Sequence, residues 1–272
     1  MMRTTILFLL TVVALVAGAM TVVASPKLRA ETAIRPTPSP LLVIETTPAP
    51  TATPTALPTA TPTPVSTPNG TVTFSVPVYK QVMNLDCETA ALQMGLAGLG
   101  HYYTQQQLFA YEQPDTRPPV ISYLANGQKI VVHWGDPYTN FVGDVNGADL
   151  TPTGYGIYYP LIISIAQSHG AANAYGHENF TAAEIYAALS AGHPVVAWTE
   201  TGWERPYVGY WTAWDGKKIK YSLVEHTVTL SGVSATQVRV NDPWHSGSQY
   251  WFRKAAFEAS WADFNNMAVV LQ

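Results

Sequence analysis

The only cysteine in the 272-residue chain is Cys87, in the stretch Gln81-Val-Met-Asn-Leu-Asp-Cys-Glu-Thr-Ala-Ala-Leu-Gln-Met94. A thiol attacks a carbonyl as the thiolate, so Cys87 needs a neighbour that lowers its pKa, a base and an oxyanion donor. Behind Asp86, Ala90, Ala91, Met94 and Leu99 recur near helical spacing and Gly98 and Gly100 follow, so a helix is predicted to begin close to Cys87. The unpaired N–H groups and dipole of a first turn favour an anion, which predicts an accessible and acidic thiol. The plain alternative is a buried structural cysteine, since cysteine is among the most buried residue types.

His226 is the most informative of the seven histidines. In Glu225-His-Thr-Val-Thr-Leu-Ser-Gly-Val233, Thr227, Thr229 and Ser231 alternate with Val228 and Leu230, which puts His226 on the apolar, inward face of a strand. The next run, Thr236-Gln-Val-Arg-Val-Asn-Asp242, puts Val238, Val240 and Asp242 inward and Gln237, Arg239 and Asn241 outward. A turn centred on Ser234 sets His226 directly opposite Asp242, with Cβ atoms about 4.5–5.5 Å apart. A carboxylate there holds the imidazole in one tautomer while its other nitrogen faces a thiol. An ordinary buried His–Asp pair serving the fold is the plain alternative.

Other chemistries fit less well. No His-Glu-x-x-His pair is present, since His177-Glu178 lacks the second histidine, and no Gly-x-Ser-x-Gly elbow surrounds a serine. Asp144, Asn146 and Asp149 approach the spacing of a calcium loop, but the glycine falls early and no glutamate closes it, so a turn is the preferred reading. Neither metal nor cofactor is expected. A net charge of −4 without a basic cluster excludes nucleic acid as the expected partner.

The elements that position these residues follow from composition. Arg3 and the apolar run Ile6 to Ala24 are read as a signal peptide or an N-terminal membrane anchor over residues 1–24, which predicts an extracellular or cell-surface location. Such a compartment permits disulfides, and a lone cysteine cannot form one internally, which favours the nucleophile. Residues 25–70 hold Thr-Pro-Thr-Ala units and, from 31 to 70, ten of the 21 prolines, so they are read as a disordered Pro/Thr/Ala-rich linker tethering the chain to a membrane or cell wall. Residues 71–272 suffice for one domain with a sizeable core. Helices are predicted from capping boxes at Thr104-Gln-Gln-Gln107 and Thr181-Ala-Ala-Glu184, from Pro160 to His169, and around Ala255 to Trp261; strands dominate from Pro194 onward. That order predicts an α+β fold, a helical half packed on a C-terminal antiparallel sheet with a cleft between them. Residues 120–158 read as loops. The aromatic segment Trp203 to Trp214 reads as core anchors or as a flap over an extended substrate, so Trp203, Trp211 and Trp244 are candidate substrate-binding residues.

Gln81, the Asp86-Cys-Glu-Thr-Ala-Ala-Leu92 box, Glu225-His-Thr-Val228 and Val240-Asn-Asp-Pro243 resemble the papain-like cysteine peptidases related to the double-glycine peptidases that process bacteriocin leaders. The resemblance covers most of residues 76–271. It implies a papain-like fold, Cys87 as nucleophile, His226 as base, Asp242 as its orienting group, Gln81 as oxyanion donor, and a peptide or protein substrate. The sequence departs from the family pattern at Glu88-Thr89, where Gly-Pro is usual, and at Glu225, where Gly is usual. It looks most like the stand-alone, surface-displayed branch. A cell-wall peptide amidase or endopeptidase, and a binding module that retains the triad without catalysis, are the competing expectations.

Overall fold

The computed structural model describes residues 65–66, 70–205 and 207–272. The expected export signal and nearly all of the expected linker lie outside those residues. In chain order the elements are β1 (Val65–Ser66), β2 (Val72–Thr73), α1 (Cys87–Gly98), α2 (Gln105–Phe109), β3 (Val120–Tyr123), β4 (Lys129–Trp134), α3 (Tyr159–Ser168), β5 (Tyr175–His177), α4 (Ala182–Ser190), β6 (Val195–Glu200), β7 (Val208–Ala213), β8 (Lys218–Ser222), β9 (Glu225–Val233), β10 (Gln237–Asp242), β11 (Ser248–Arg253), α5 (Lys254–Ala262) and β12 (Ala268–Val270). Among the described residues no helix is long and apolar enough to cross a membrane.

Helix α1 is the spine. Every residue of it except Gln93 is buried. Small side chains make that possible: a Cβ on Gly95 would meet the Leu271 side chain at 2.3 Å, and one on Gly98 would meet Val76 at 2.8 Å. The capping boxes form as predicted, Thr104 with Gln107 at α2 and Thr181 with Glu184 at α4.

The larger sheet runs β1-β2-β9-β6-β12-β5, with β10 pairing β9 and β11, and its pairings are antiparallel. Strand β9 is buried along its whole length. Its Val228 and Leu230 pack with Ile185 and Leu189 of α4, while Thr229 on the other face donates to Ala91 O of α1 at 2.6 Å. The hydroxyl face, read in the sequence as merely polar, is therefore covered by a helix and bonded inside it.

Two expectations are corrected. Residues 120–158, read as loops, contain β3 and β4, and the aromatic segment contains β7; with β8 these form a second sheet, β3-β4-β7-β8, in which β4 and β7 are parallel. Strands thus occur in both halves of the chain and one pairing is parallel. The β3–β4 hairpin escaped notice because β3 is exposed throughout and shows no buried alternation. The second correction concerns register. Val238 pairs Val233 and Arg239 pairs Gly232, but after a bulge Val240 pairs Leu230 and Asn241 pairs Thr229. Continuing the ladder puts Asp242 across from Val228, diagonal to His226 rather than opposite it. Without the bulge Asp242 would face Thr229 and lie on the wrong side of the sheet; one extra residue restores the face that His226 occupies.

Candidate functional site

The start of α1, the start of β9 and the loop after β10 meet around a cavity of about 430 Å³ whose walls include Gln81, Cys87, Tyr155, Glu225, His226 and Trp244. Three of the four residues expected to do chemistry, Gln81, Cys87 and His226, line it, and Asp242 stands behind the wall, bonded to His226.

His226 Nε2 lies 2.8 Å from Asp242 Oδ1. The same oxygen accepts the Trp244 N–H at 2.9 Å, and Oδ2 accepts the Tyr250 hydroxyl at 2.8 Å. Trp203 Nε1 in turn donates to the Tyr250 oxygen at 3.1 Å. Burial works to raise the Asp242 pKa, but the His226 bond and charge, with the Trp244 and Tyr250 bonds, more than reverse it and leave the carboxyl below its ordinary range. Asp242 is thus an anion fixed by three donors, and the His226 nitrogen it holds is Nε2, so Nδ1 is the ring nitrogen that Asp242 does not engage.

Cys87 is the first residue of α1, as the spacing predicted, but its side chain is buried apart from the part that meets the cavity, and its surroundings push the thiol pKa up rather than down. Its S–H has two carboxylate partners, Glu88 Oε2 at 3.3 Å and Glu225 Oε2 at 3.8 Å. Burial first, then the charges of Glu225 and Glu88, push the thiol well above its usual value, against a smaller opposing effect of the Thr227 backbone N–H. Among the described residues no hydrogen bond joins Cys87 to His226. Strand alternation explains the arrangement: Glu225 shares the α1 face of β9 with Thr227 and Thr229, whereas His226 belongs to the other face.

The two glutamates are built in. Glu88 Oε1 accepts the Ile157 N–H at 2.7 Å, and Glu225 Oε1 accepts the Thr227 hydroxyl at 2.8 Å. A Cβ on Gly156 would fall 2.1 Å from Glu88 Oε1 and 3.2 Å from Glu225 Oε2, so the bare backbone at 156 is what leaves room for both. Burial raises Glu88 to about 7, and burial followed by the charge of Glu88 raises Glu225 well above the ordinary carboxylate value. The Cys87 sulfur and one oxygen of each glutamate lie within 4.8 Å of one another, but the thiol's own hydrogen bonds account for that closeness and nothing in it calls for an ion. Asp144 and Asp149 spend Oδ1 on the N–H groups of Asn146 and Leu150, the ordinary turn bonds that the sequence favoured over calcium.

Gln81 is buried at the cavity, and residues 82–86 loop as its reach requires. Its Nε2 donates to Asn84 O at 2.8 Å and, more weakly, to Met83 O at 3.3 Å, while its backbone N–H donates to Pro243 O at 3.0 Å. Asn241, expected outward, is fully buried: Nδ2 donates to Val76 O at 3.0 Å and Pro77 O at 3.1 Å, so the strand that carries Asp242 also holds the segment leading to Gln81. Of the three tryptophans proposed for substrate, only Trp244 lines the cavity, its ring 6.0 Å from that of His226. Trp211 is 1 % exposed and donates to Gly135 O at 2.9 Å, which makes it core. Trp203 stacks on Phe252 and supports Tyr250. Sequence reasoning missed the roles of Glu88, Glu225 and Tyr250; the only signal was a carboxylate beside the cysteine and another beside the histidine, at the two places where the family pattern is broken.

The model of the family described as Peptidase_C39 like family matches residues 73–269. The uncharacterized protein YvpB of Bacillus subtilis (strain 168) is 29 % identical over 189 residues, 68 % of this chain and 68 % of that protein. A crystal structure described as that of a C39-like peptidase from Bacillus anthracis superposes with a TM-score of 0.59 at 22 % identity, covering 73 % of this chain and 94 % of the other, and so shares its fold. A double glycine motif protease of an AMS/PCAT transporter, solved with a leader peptide, gives a TM-score of only 0.39 at 14 % identity over 73 % of this chain and 93 % of its own.

Proposed function

The chain belongs to the Peptidase_C39 like family, and from that premise we propose that it is an exported or surface-tethered cysteine peptidase. The observation that carries the reading is the convergence on one cavity of a cysteine at a helix start and a histidine whose Nε2 is held by a fixed carboxylate. In this reading the Cys87 proton goes to His226 Nδ1 and the thiolate attacks the peptide carbonyl. The oxyanion is met by the Cys87 N–H and by Gln81 Nε2, whose weaker bond to Met83 O is the one released. His226 then protonates the leaving amine, the C–N bond breaks, and a thioester on Cys87 remains. Water gives a proton to His226 as it adds to the thioester, the C–S bond breaks, His226 returns that proton to the sulfur, and the acid released loses its remaining proton to solvent. Export rests on the apolar run Ile6 to Ala24, and surface display on the Pro/Thr-rich tract behind it.

The test is to incubate the full chain and its Cys87→Ala variant with a peptide library and identify products by mass spectrometry. Cleavage by the parent and none by the variant is expected, with a covalent acyl adduct on Cys87 in quenched samples. Equal cleavage by both, or no cleavage by either, would sink the peptidase.

A further inference from the structure

The two glutamates that break the family pattern touch the sulfur itself, at 3.3 and 3.8 Å, and the reaction above gives them no role. Each has one oxygen committed as an acceptor, Glu88 Oε1 to the Ile157 N–H and Glu225 Oε1 to the Thr227 hydroxyl. A proton on either carboxyl therefore resides on Oε2, the oxygen that faces Cys87. We propose that Glu88 and Glu225, when protonated, donate hydrogen bonds from Oε2 to the Cys87 thiolate, so that the nucleophile is armed in acid and disarmed once Glu88 ionises.

The proton balance is simple. In the armed state the thiol proton is on His226 Nδ1, both carboxyls are neutral, and the sulfur anion accepts two O–H donors. Loss of one proton to solvent leaves a carboxylate at 3.3 Å from sulfur, where a second anion is untenable in a dry site; the imidazolium proton returns to sulfur and the S–H donates to Glu88, the arrangement seen here. Burial places the Glu88 transition at about 7, inside the working range, and burial together with the charge of Glu88 raises Glu225 as well.

The surroundings reinforce the direction. Asp86 and Glu112 act on Glu88, Asp149 acts on Glu225, and from the segment before α3 Tyr155 faces both glutamates and Tyr158 faces Glu225. His226 with Asp242, His245 and Lys80 complete the titratable groups around the cavity. Among the described residues no arginine lines it and Lys80 is its single lysine, so a carboxylate beside the sulfur has little to offset it.

The inference rests on Cys87 as nucleophile but not on the substrate, and the test keeps the two apart. The rate of Cys87 alkylation by iodoacetamide is measured from pH 5.5 to 8.5 on the full chain, with circular dichroism at each pH, alongside peptide hydrolysis. For a group titrating near 7, the wild-type rate should fall about tenfold between pH 5.5 and 8. In Glu88→Gln the Ile157 N–H holds the amide oxygen, Nε2–H becomes a permanent donor to sulfur, and the fall should vanish. Glu225→Gln, which keeps the ionisable Glu88, should retain it and serves if Glu88→Gln does not fold. A wild-type rate that rises steadily over this range, or a fall unchanged in Glu88→Gln, overturns the proposal. The expected profile without peptide hydrolysis supports it and removes the peptidase reading instead.

Discussion

Replacing Asp242 by Asn separates the charge of the orienting group from its geometry. Two N–H donors, from His226 and Trp244, converge on Oδ1, at 2.8 and 2.9 Å. Those donors select the amide oxygen for that position, so the histidine keeps its proton on Nε2 and the useful tautomer survives. What is lost is the charge: a hydrogen bond to an anion is worth about 1–2 kcal/mol more than one to a neutral amide. At 1.36 kcal/mol per decade, kcat/KM on the best library peptide should fall roughly 5- to 30-fold, far less than the ~10⁴ expected when an amide imposes the wrong tautomer. Stability should fall as well. Asn Nδ2 then faces the Tyr250 hydroxyl, which already accepts from Trp203 and loses the acceptor for its own proton. An orphaned buried donor costs about 1–2 kcal/mol, or roughly 2–8 °C in Tm for a unit of this size. Steady-state kinetics, a thermal melt and ¹⁵N shifts of His226 read the three quantities. A loss near 10⁴ with the proton on Nδ1 would refute the selection by Trp244, and an unchanged kcat/KM would remove Asp242 from the mechanism.

The tryptophans should divide by place. Trp244→Ala should raise KM several-fold with Tm nearly unchanged, whereas Trp211→Ala should remove about 3–5 kcal/mol of stability, seen as a drop of many degrees in Tm; the reverse pattern would put the substrate elsewhere. Stability should also depend on pH through the buried acids. Burial raises Asp86 to about 6 and both Glu88 and Glu200 to about 7. Each holds its proton more tightly folded than unfolded, so its contribution is complete below the unfolded value near 4 and is lost as pH rises through 6–7. The urea midpoint should therefore be higher at pH 5 than at pH 8, a window in which Asp242 remains ionised; a midpoint that is flat or rises with pH would contradict the assignment.

The sequence by itself determined the local features. A run of small and apolar residues behind Asp86 can only start a helix at Cys87, Thr104 and Thr181 carry their own capping partners, and the alternation in Glu225 to Val233 specifies a strand. Each depends on neighbours a few residues away, which is why spacing reveals it. The pairing of His226 with Asp242 also followed from the sequence, since both were read on the inward face of neighbouring strands. The tertiary structure decided the rest. Alternation alone did not reveal that a bulge at Arg239 and Val240 sets the face of Asp242, because the turn and the ladder together choose the register. Nor did Trp203 and Trp211 disclose that one supports Tyr250 and the other fills the core, since burial depends on what packs from across the chain. The largest surprise is the state of the thiol. A helix start argues for an acidic cysteine, but the dipole acts over one turn and is partly solvated, whereas burial of the sulfur, helped by the acidic side chains at contact distance, pushes the thiol the other way and overrules it.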